Sequence, residues 1–371
     1  MFPAAVADAI DLSRVRRALV VKLRHHGDVL LASPVFTVLR RAAPHAEIDA
    51  LVYQETMPML AGHPAIAELF GIDREAKRRG LGTQIAAEWR LLRALRGRRY
   101  DLVVHLTEHP RGAWLKLVLG ARDGVGPEHR KAGLLWRHAF RHRYLKPRAT
   151  PRHTVETHLD ALRRIGIWPD EAEKKLVLVP GDEAQAKVAG LLAQHGLPRR
   201  RFIVVHPGSR WLFKCWPAAS TAAVIDRLGA DGWSIVLTGA PGPAERALAD
   251  AVRAAARTPI VDLCGALTLR ETAAVIGAAR LFFGVDSAPM HMAAAMGTPT
   301  VALFGPSGDI EWGPWRVAHR VVASTEHPCR PCGNNGCGGS RRSDCLISLP
   351  DVRVAAAISD LLDETAGAFD R

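Results

Sequence analysis

The chain has 371 residues, 48% of them hydrophobic and 23% charged, with a net charge of +13. This length suits two domains better than one core, and the composition excludes a disordered or fibrous chain. The basic excess favours polyanionic partners, whether nucleic acid, anionic lipid headgroups or phosphorylated glycans, and no apolar run of about 18 residues is present to span a membrane. The opening MFPAAVADAIDLSRVRR is too acidic and too poor in apolar residues for a secretory leader, so a cytoplasmic location is expected.

Ala18 to Leu23 (ALVVKL) predicts a buried first strand, and Val29 to Arg41 a helix, on the spacing of Leu30, Leu31, Val35, Val38 and Leu39. The turn between them, Arg24-His25-His26-Gly27-Asp28, leaves the carboxyl end of a strand. Asp28 there reads either as a helix cap or as a general base. Ile48 to Val52 predicts a strand, Thr56 to Leu60 a helix, Ile66 to Phe70 a strand and Gln84 to Leu95 an amphipathic helix. Tyr100 to Leu106 is a further strand, leaving through Thr107-Glu108-His109, and Arg111 to Leu119 is a helix. Gly124 to Arg152 reads as irregular, basic and His-rich, with His138, His142, His153 and His158 as basic surface rather than ligands. After a helix at Thr154 to Ile165 and a boundary strand at Leu176 to Val179, the chain divides into domains 1–180 and 181–371.

The second half restarts the pattern. Helices are predicted at Asp182 to His195, Pro217 to Leu228, Pro243 to Ala256 and Leu269 to Ala278, alternating with strands at Arg201 to Val205, Ser234 to Leu237 and Ile260-Val261. Leu281 to Pro306 (LFFGVDSAPMHMAAAMGTPTVALFGP) then gives strand, turn, helix and strand, a βαβ unit that implies a parallel sheet. Two doubly wound α/β halves facing a cleft are the natural architecture.

Three turns of the second half, His206-Pro207-Gly208-Ser209, Thr238 to Gly242 and Asp286 to His291, fall on one edge of that sheet. Their Gly, Pro and Ser content lets backbone N–H groups approach a phosphate, and the last turn opens a helix whose positive end faces the same edge. Asp286 or Ser287 could equally cap that helix. Lys214 follows the first turn and could neutralise a diphosphate or stand idle on the surface. Neither a Walker A loop nor a GxGxxG fingerprint is present, which argues against an NTPase or a dehydrogenase. Four of the six cysteines, Cys329, Cys332, Cys337 and Cys345, fall in a Gly/Asn/Arg-rich loop at 327–347. In a reducing compartment that spacing reads as structural zinc or iron first, then free thiols, then disulfides. Cys215 and Cys264 read as ordinary buried thiols; Trp312 and Trp315 read as flanking the nucleotide loop or packing in the core.

These residues resemble a known family. Lys22-Leu23-Arg24-His25-His26-Gly27-Asp28-Val29-Leu30 is similar to the opening motif of the lipopolysaccharide heptosyltransferases, glycosyltransferase family nine. His206 to Ser209, Lys214-Cys215-Trp216-Pro217 and Gly284 to His291 match its later motifs in order. The His25-His26 pair is most like the branch that adds the third inner-core heptose.

The resemblance implies a GT-B fold, with two Rossmann-like domains facing a central cleft, the acceptor bound by the first and ADP-heptose by the second. It implies transfer of L-glycero-D-manno-heptose, with inversion, to the lipid A-linked inner core. Asp28 would be the base, Lys214 would assist departure of the diphosphate, and Arg24, His25 and His26 would face the acceptor. The donor would be held by His206, Gly208, Ser209, Lys214, Thr238, Gly239, Asp286, Ser287, Ala288, Pro289 and His291, with Glu245 on the ribose. No cofactor is expected for catalysis: no DxD pair is placed to hold a divalent ion, and a lysine with helix-end amides can carry the leaving charge. Peripheral contact with the cytoplasmic face of the inner membrane is expected, and no nucleic acid. The alternatives are a second-heptose transferase, another nucleotide-sugar transferase, or, outside enzymes, a basic nucleic-acid-binding protein, which would need a reading motif the chain lacks.

Overall fold

The structure is a computed structural model that describes residues 6–128, 133–146 and 150–368. Residues 1–5 of the stretch read for a leader, and Arg130, Lys131 and Arg148 of the basic region, lie outside the described residues. The chain forms two compact units, Met1–Val179 and Pro180–Arg371.

The first unit carries, in order, β1 (Arg17–Val21), α1 (His26–Leu30), α2 (Ser33–Ala42), β2 (Glu47–Tyr53), β3 (Leu69–Ile72), α3 (Leu81–Arg98), β4 (Leu102–His105), α4 (Arg111–Leu119), β5 (Asp123–Pro127), α5 (Leu134–Ala139), β6 (His142–Tyr144) and α6 (Thr154–Arg163). All its strand pairs are parallel, in the order β3-β2-β1-β4-β5-β6. The second carries α7 (Asp182–Gln194), β7 (Phe202–His206), α8 (Ala218–Ala230), β8 (Ser234–Leu237), α9 (Pro243–Ala255), β9 (Ile260–Asp262), α10 (Leu269–Ala278), β10 (Leu281–Val285), α11 (Ala288–Ala295), β11 (Thr300–Phe304), α12 (Asp309–Trp312), β12 (His319–Ala323), α13 (Asp344–Ile347) and α14 (Asp351–Glu364). Its parallel order is β12-β11-β10-β7-β8-β9.

Counted from each unit's own first strand, the two orders are the same doubly wound arrangement. Each sheet reverses direction of growth between its first and fourth strands, β1/β4 in one and β7/β10 in the other, and ligands of such sheets bind beyond the strand ends at that reversal. β7, β10 and β11 are buried along their whole length, as strands covered by helices on both faces must be. Trp216 packs edge-on against Phe283, with ring centroids 6.3 Å apart, fixing the segment after β7 to the strand beside it.

Three expectations are corrected. The helix expected over Val29 to Arg41 breaks at Leu31-Ala32, because Pro34 cannot donate an N–H and instead occupies the first turn of α2. The region expected to be irregular contains β5, α5 and β6, and Leu176 to Val179 forms no strand.

Candidate active site

In the second unit the turns after β7 and β10 lie side by side, since these strands pair through Gly284 and His206. Lys214 Nζ reaches across and donates to Asp286 Oδ2 at 2.6 Å. Asp286 therefore caps nothing: the N-cap of α11 is Ser287, whose side chain makes no capping bond. Ser287 Oγ is shielded from solvent and has no hydrogen-bond partner among the described residues. A buried hydroxyl without a partner costs about 1–3 kcal/mol, so this atom is a place for a ligand oxygen to be received. Ala288 and Pro289 form the first turn of α11, with His291 buried behind them.

The turns after β7 and β8 meet around Glu245. Its Oε2 accepts the Ala240 N–H at 2.9 Å and lies 3.8 Å from His206 Nε2. A Cβ built on Gly208 would stand 2.5 Å from the same oxygen, and one on Gly239 would stand 2.5 Å from Cys264 Sγ. At both positions a Cβ would displace a neighbouring side chain, the Glu245 carboxylate at one and the Cys264 thiol at the other. His206 Nδ1 is 3.0 Å from Thr238 Oγ1, and burial holds its pKa down at about 4, so the ring is neutral near pH 7. Ser209 is buried in the same turn. The structure thus brings Lys214 to Asp286, and His206, Gly208, Thr238 and Gly239 to Glu245, along one sheet edge.

In the first unit Asp28 sits in the first turn of α1, whose N-cap is His25. The cap reading of Asp28 therefore fails, and its partner is Lys22, with Nζ 3.7 Å from Asp28 Oδ1. Lys22 is buried at the end of β1. It donates to Leu106 O at 3.3 Å and to His158 Nε2 at 2.8 Å. His158 Nδ1 lies 3.0 Å from Leu31 O; a carbonyl can only accept, so Nδ1 carries the proton and Nε2 takes the lysine's. Burial lowers the Lys22 pKa to about 8, against the pull of Asp28, and burial followed by the lysine's charge holds His158 well below its ordinary value. His158, expected on a basic surface, is instead buried in α6 as part of this constellation. Leu23 N donates to Thr107 Oγ1 at 3.2 Å, so the turns after β1 and β4 join at this unit's own reversal point. Arg24 is exposed, and His26 Nε2 lies 2.9 Å from Glu55 O.

The sequence signature of glycosyltransferase family 9 (heptosyltransferase) spans residues 88–339. The chain belongs to that family. A lipopolysaccharide heptosyltransferase 3 of Escherichia coli is 36% identical over 92% of this chain and 97% of its own. Among solved structures, the family 9 glycosyltransferase of Veillonella parvula superposes with a TM-score of 0.81 at 26% identity, covering 96% of this chain and 100% of its own. E. coli heptosyltransferase WaaC with ADP superposes at 0.72 and 20% identity, covering 93% and 99%. The fold is GT-B, and the family-nine chain is a glycosyltransferase.

The cysteine loop is tied to the second sheet's edge, where Arg330 Nε donates to Gly305 O at 2.6 Å and Ser343 Oγ to Phe213 O at 2.6 Å. The six cysteines are free thiols, and Cys215 and Cys264, expected to be buried, are half-buried. The thiols of Cys337, Cys332 and Cys329 each act electrostatically on Cys345, yet among the described residues no group of three or more His, Cys, Asp or Glu is arranged to hold a metal ion. Trp312 and Trp315 are half-buried. Sequence reading passed over Lys22 and His158 as a pair. The available signal was a lysine inside an otherwise apolar strand, a position almost never filled without a partner.

Proposed function

We propose that this family-nine chain moves L-glycero-D-manno-heptose from ADP-heptose to the lipopolysaccharide inner core, inverting the anomeric carbon, and that the acceptor is heptose II. The observation that carries the assignment of roles is a contrast between two lysine–aspartate pairs. In the first unit the lysine is the more buried partner, 6% exposed against 19% for Asp28. In the second the aspartate is the more buried, 8% against 22% for Lys214. One edge therefore offers a carboxylate and the other a cation.

In this reading Asp28 takes the proton of the acceptor hydroxyl while that oxygen bonds to the anomeric carbon. The bond from that carbon to the ADP oxygen breaks, and its electron pair leaves with ADP. Lys214, Ser287 Oγ and the amides around Ala288 and Pro289 receive the charge gathering on the diphosphate, which lowers the barrier without a divalent ion. His291 backs that turn, and Asp286 takes heptose hydroxyls. Glu245 takes the ribose, over the close backbone of Gly208, Ser209 and Gly239 with His206 and Thr238 behind. Arg24, His25 and His26 face the acceptor. Work at the cytoplasmic face of the inner membrane, as a peripheral protein without nucleic acid, completes the reading.

The test is transfer from ADP-heptose to cores carrying one or two heptoses, in EDTA. Turnover on the two-heptose core, its loss in Asp28→Asn and unchanged ADP binding by that variant are expected. Transfer only to the one-heptose core would reassign the acceptor, and a requirement for magnesium would overturn the metal-free mechanism. The four-cysteine loop we also propose as a structural zinc or iron site. The spacing and the mutual proximity of the thiols support it, and it requires the loop to draw in around the ion. Metal analysis of the purified chain should find one ion, lost when all four are serine; a metal-free wild type would end that proposal.

A further inference from the structure

Helix α3 is 18 residues long and buries only Leu95. A helix with so little burial is usually polar all round, and this one is not. Leu81, Ile85 and Trp89, at successive four-residue steps, are 77%, 61% and 65% exposed, so they form one stripe along the helix. Trp114 of α4, 47% exposed, stands beside them, and with Leu92 these side chains wall a groove of about 320 Å³. The next helix, α5, packs against α4 and adds Leu134 and Leu135, 87% and 54% exposed. Exposed apolar residues scattered singly need no explanation, but a run shared by three neighbouring helices marks a docking surface.

The charge around the stripe says what docks. Between residues 78 and 99 there are seven arginines and one acid, Glu88. That acid is already paired, by Arg111. Arg93 continues the stripe one further turn after Trp89, and Arg90 and Arg96 are exposed on the same helix. We infer that the α3–α4–α5 face is a membrane-docking surface, with the two tryptophans and Ile85 entering the interfacial region of an anionic bilayer while the arginines hold lipid phosphates. Tryptophan with flanking arginine on a helix lying in the surface plane is the chemistry of interfacial anchoring. A second copy of the chain fits this face less well, because a two-fold pairing would set the same arginines against each other. The inference deepens the proposed inner-membrane reading by naming the surface, and it rests on that reading.

The experiment is sedimentation of the full chain with vesicles of phosphatidylcholine alone and of phosphatidylcholine with phosphatidylglycerol. Wild type should partition to the anionic vesicles, and Trp89→Ser/Trp114→Ser should lose about ten-fold or more of that partition. Arg90→Gln/Arg93→Gln should bind more weakly and lose most of its dependence on salt. Circular dichroism and a thermal-unfolding midpoint, which read both units, verify that each variant is folded. Equal partition of the tryptophan variant overturns the inference, as does a wild type that is dimeric without lipid and becomes monomeric in that variant. Heptose transfer to a soluble, delipidated core separates the two readings. Its absence in wild type sinks the assigned reaction while leaving the vesicle result standing, whereas transfer unchanged in the variant with partition lost supports both.

Discussion

Replacing Asp286 by asparagine is expected to tighten ADP binding while lowering turnover of ADP-heptose. Lys214 and Asp286 share a hydrogen bond at 2.6 Å with side chains 22% and 8% exposed. At that separation the gross attraction is about 6 kcal/mol for an effective dielectric of about 20. Most of it is offset by the desolvation of both ions, leaving about 1–2 kcal/mol net for a partly exposed pair. In the free protein this much of the lysine's field is already committed, and an arriving diphosphate must share it. Asp286→Asn keeps the shape and a hydrogen-bonding group but removes the charge, so ADP, which lacks the heptose, should bind about 5- to 30-fold more tightly. Titration calorimetry with ADP reads this directly, and Lys214→Ala run beside it should move affinity the other way. ADP binding by a folded Asp286→Asn variant that is equal to wild type or weaker would refute the competition, and with it the assignment of Lys214 to the diphosphate.

Gly208→Ala should mimic loss of Glu245. The new Cβ would stand 2.5 Å from Oε2 and swing the carboxylate off the Ala240 N–H, weakening ADP by about 10-fold; combined with Glu245→Ala the losses should not add, and additive losses would separate the two residues. Lys22→Met should lower the transfer rate about 100-fold, by freeing Asp28 from its set position, with ADP affinity unchanged. In wild type the rate should fall as pH rises through about 8, where Lys22 gives up its proton, and this limb should be missing from the variant's profile; a limb that persists would assign it elsewhere. Acid should destabilise the chain between the ordinary histidine range and pH 4. Burial holds His206 and His63 at about 4 and His105 at about 3, so the unfolded chain binds protons that the folded chain refuses, and stability falls as pH drops through that window, by up to about 1.4 kcal/mol per pH unit per histidine. Denaturation midpoints against pH should show a shallower fall in His206→Gln, and an unchanged slope would remove His206 from the account.

Much of the fold can be read from apolar runs. RFIVV, SIVL, LFF and TVALF are short, β-branched or aromatic and bounded by Gly and Pro, as buried parallel strands are, and each lies in the second sheet. β5 escaped because its sequence is DGVGP: two glycines and a proline carry no strand preference, and the pairing of Leu102 with Asp123 and Val104 with Val125 comes from β4. The break before α2 escaped because Leu30, Leu31, Val35, Val38 and Leu39 keep a helical period across it while Pro34 starts a new first turn. In the site, the residue types at each turn were legible, and the partners were not. Lys214 and Asp286 are 72 residues apart, and Lys22 and His158 are 136 apart; contacts of that separation leave no periodic trace.

The two halves share a strand order and, at its reversal, a lysine–aspartate pair whose more buried member differs between them. Each sheet reverses beside its first strand, and at each reversal a lysine meets an aspartate. In the first unit the lysine directly follows the strand, between the buried Val21 and Leu23, so burial falls on the cation. Leu106 O and His158 satisfy its protons, and the carboxylate, carried on the short helix α1, is left on the outer side. In the second unit the aspartate directly follows the strand, so burial falls on the carboxylate, and the lysine that arrives from the turn after β7 is the more exposed partner. Which member of the pair follows the strand thus decides which charge is the more exposed, and the proposed transfer, which takes a proton from one sugar and stabilises phosphate leaving another, would use one of each.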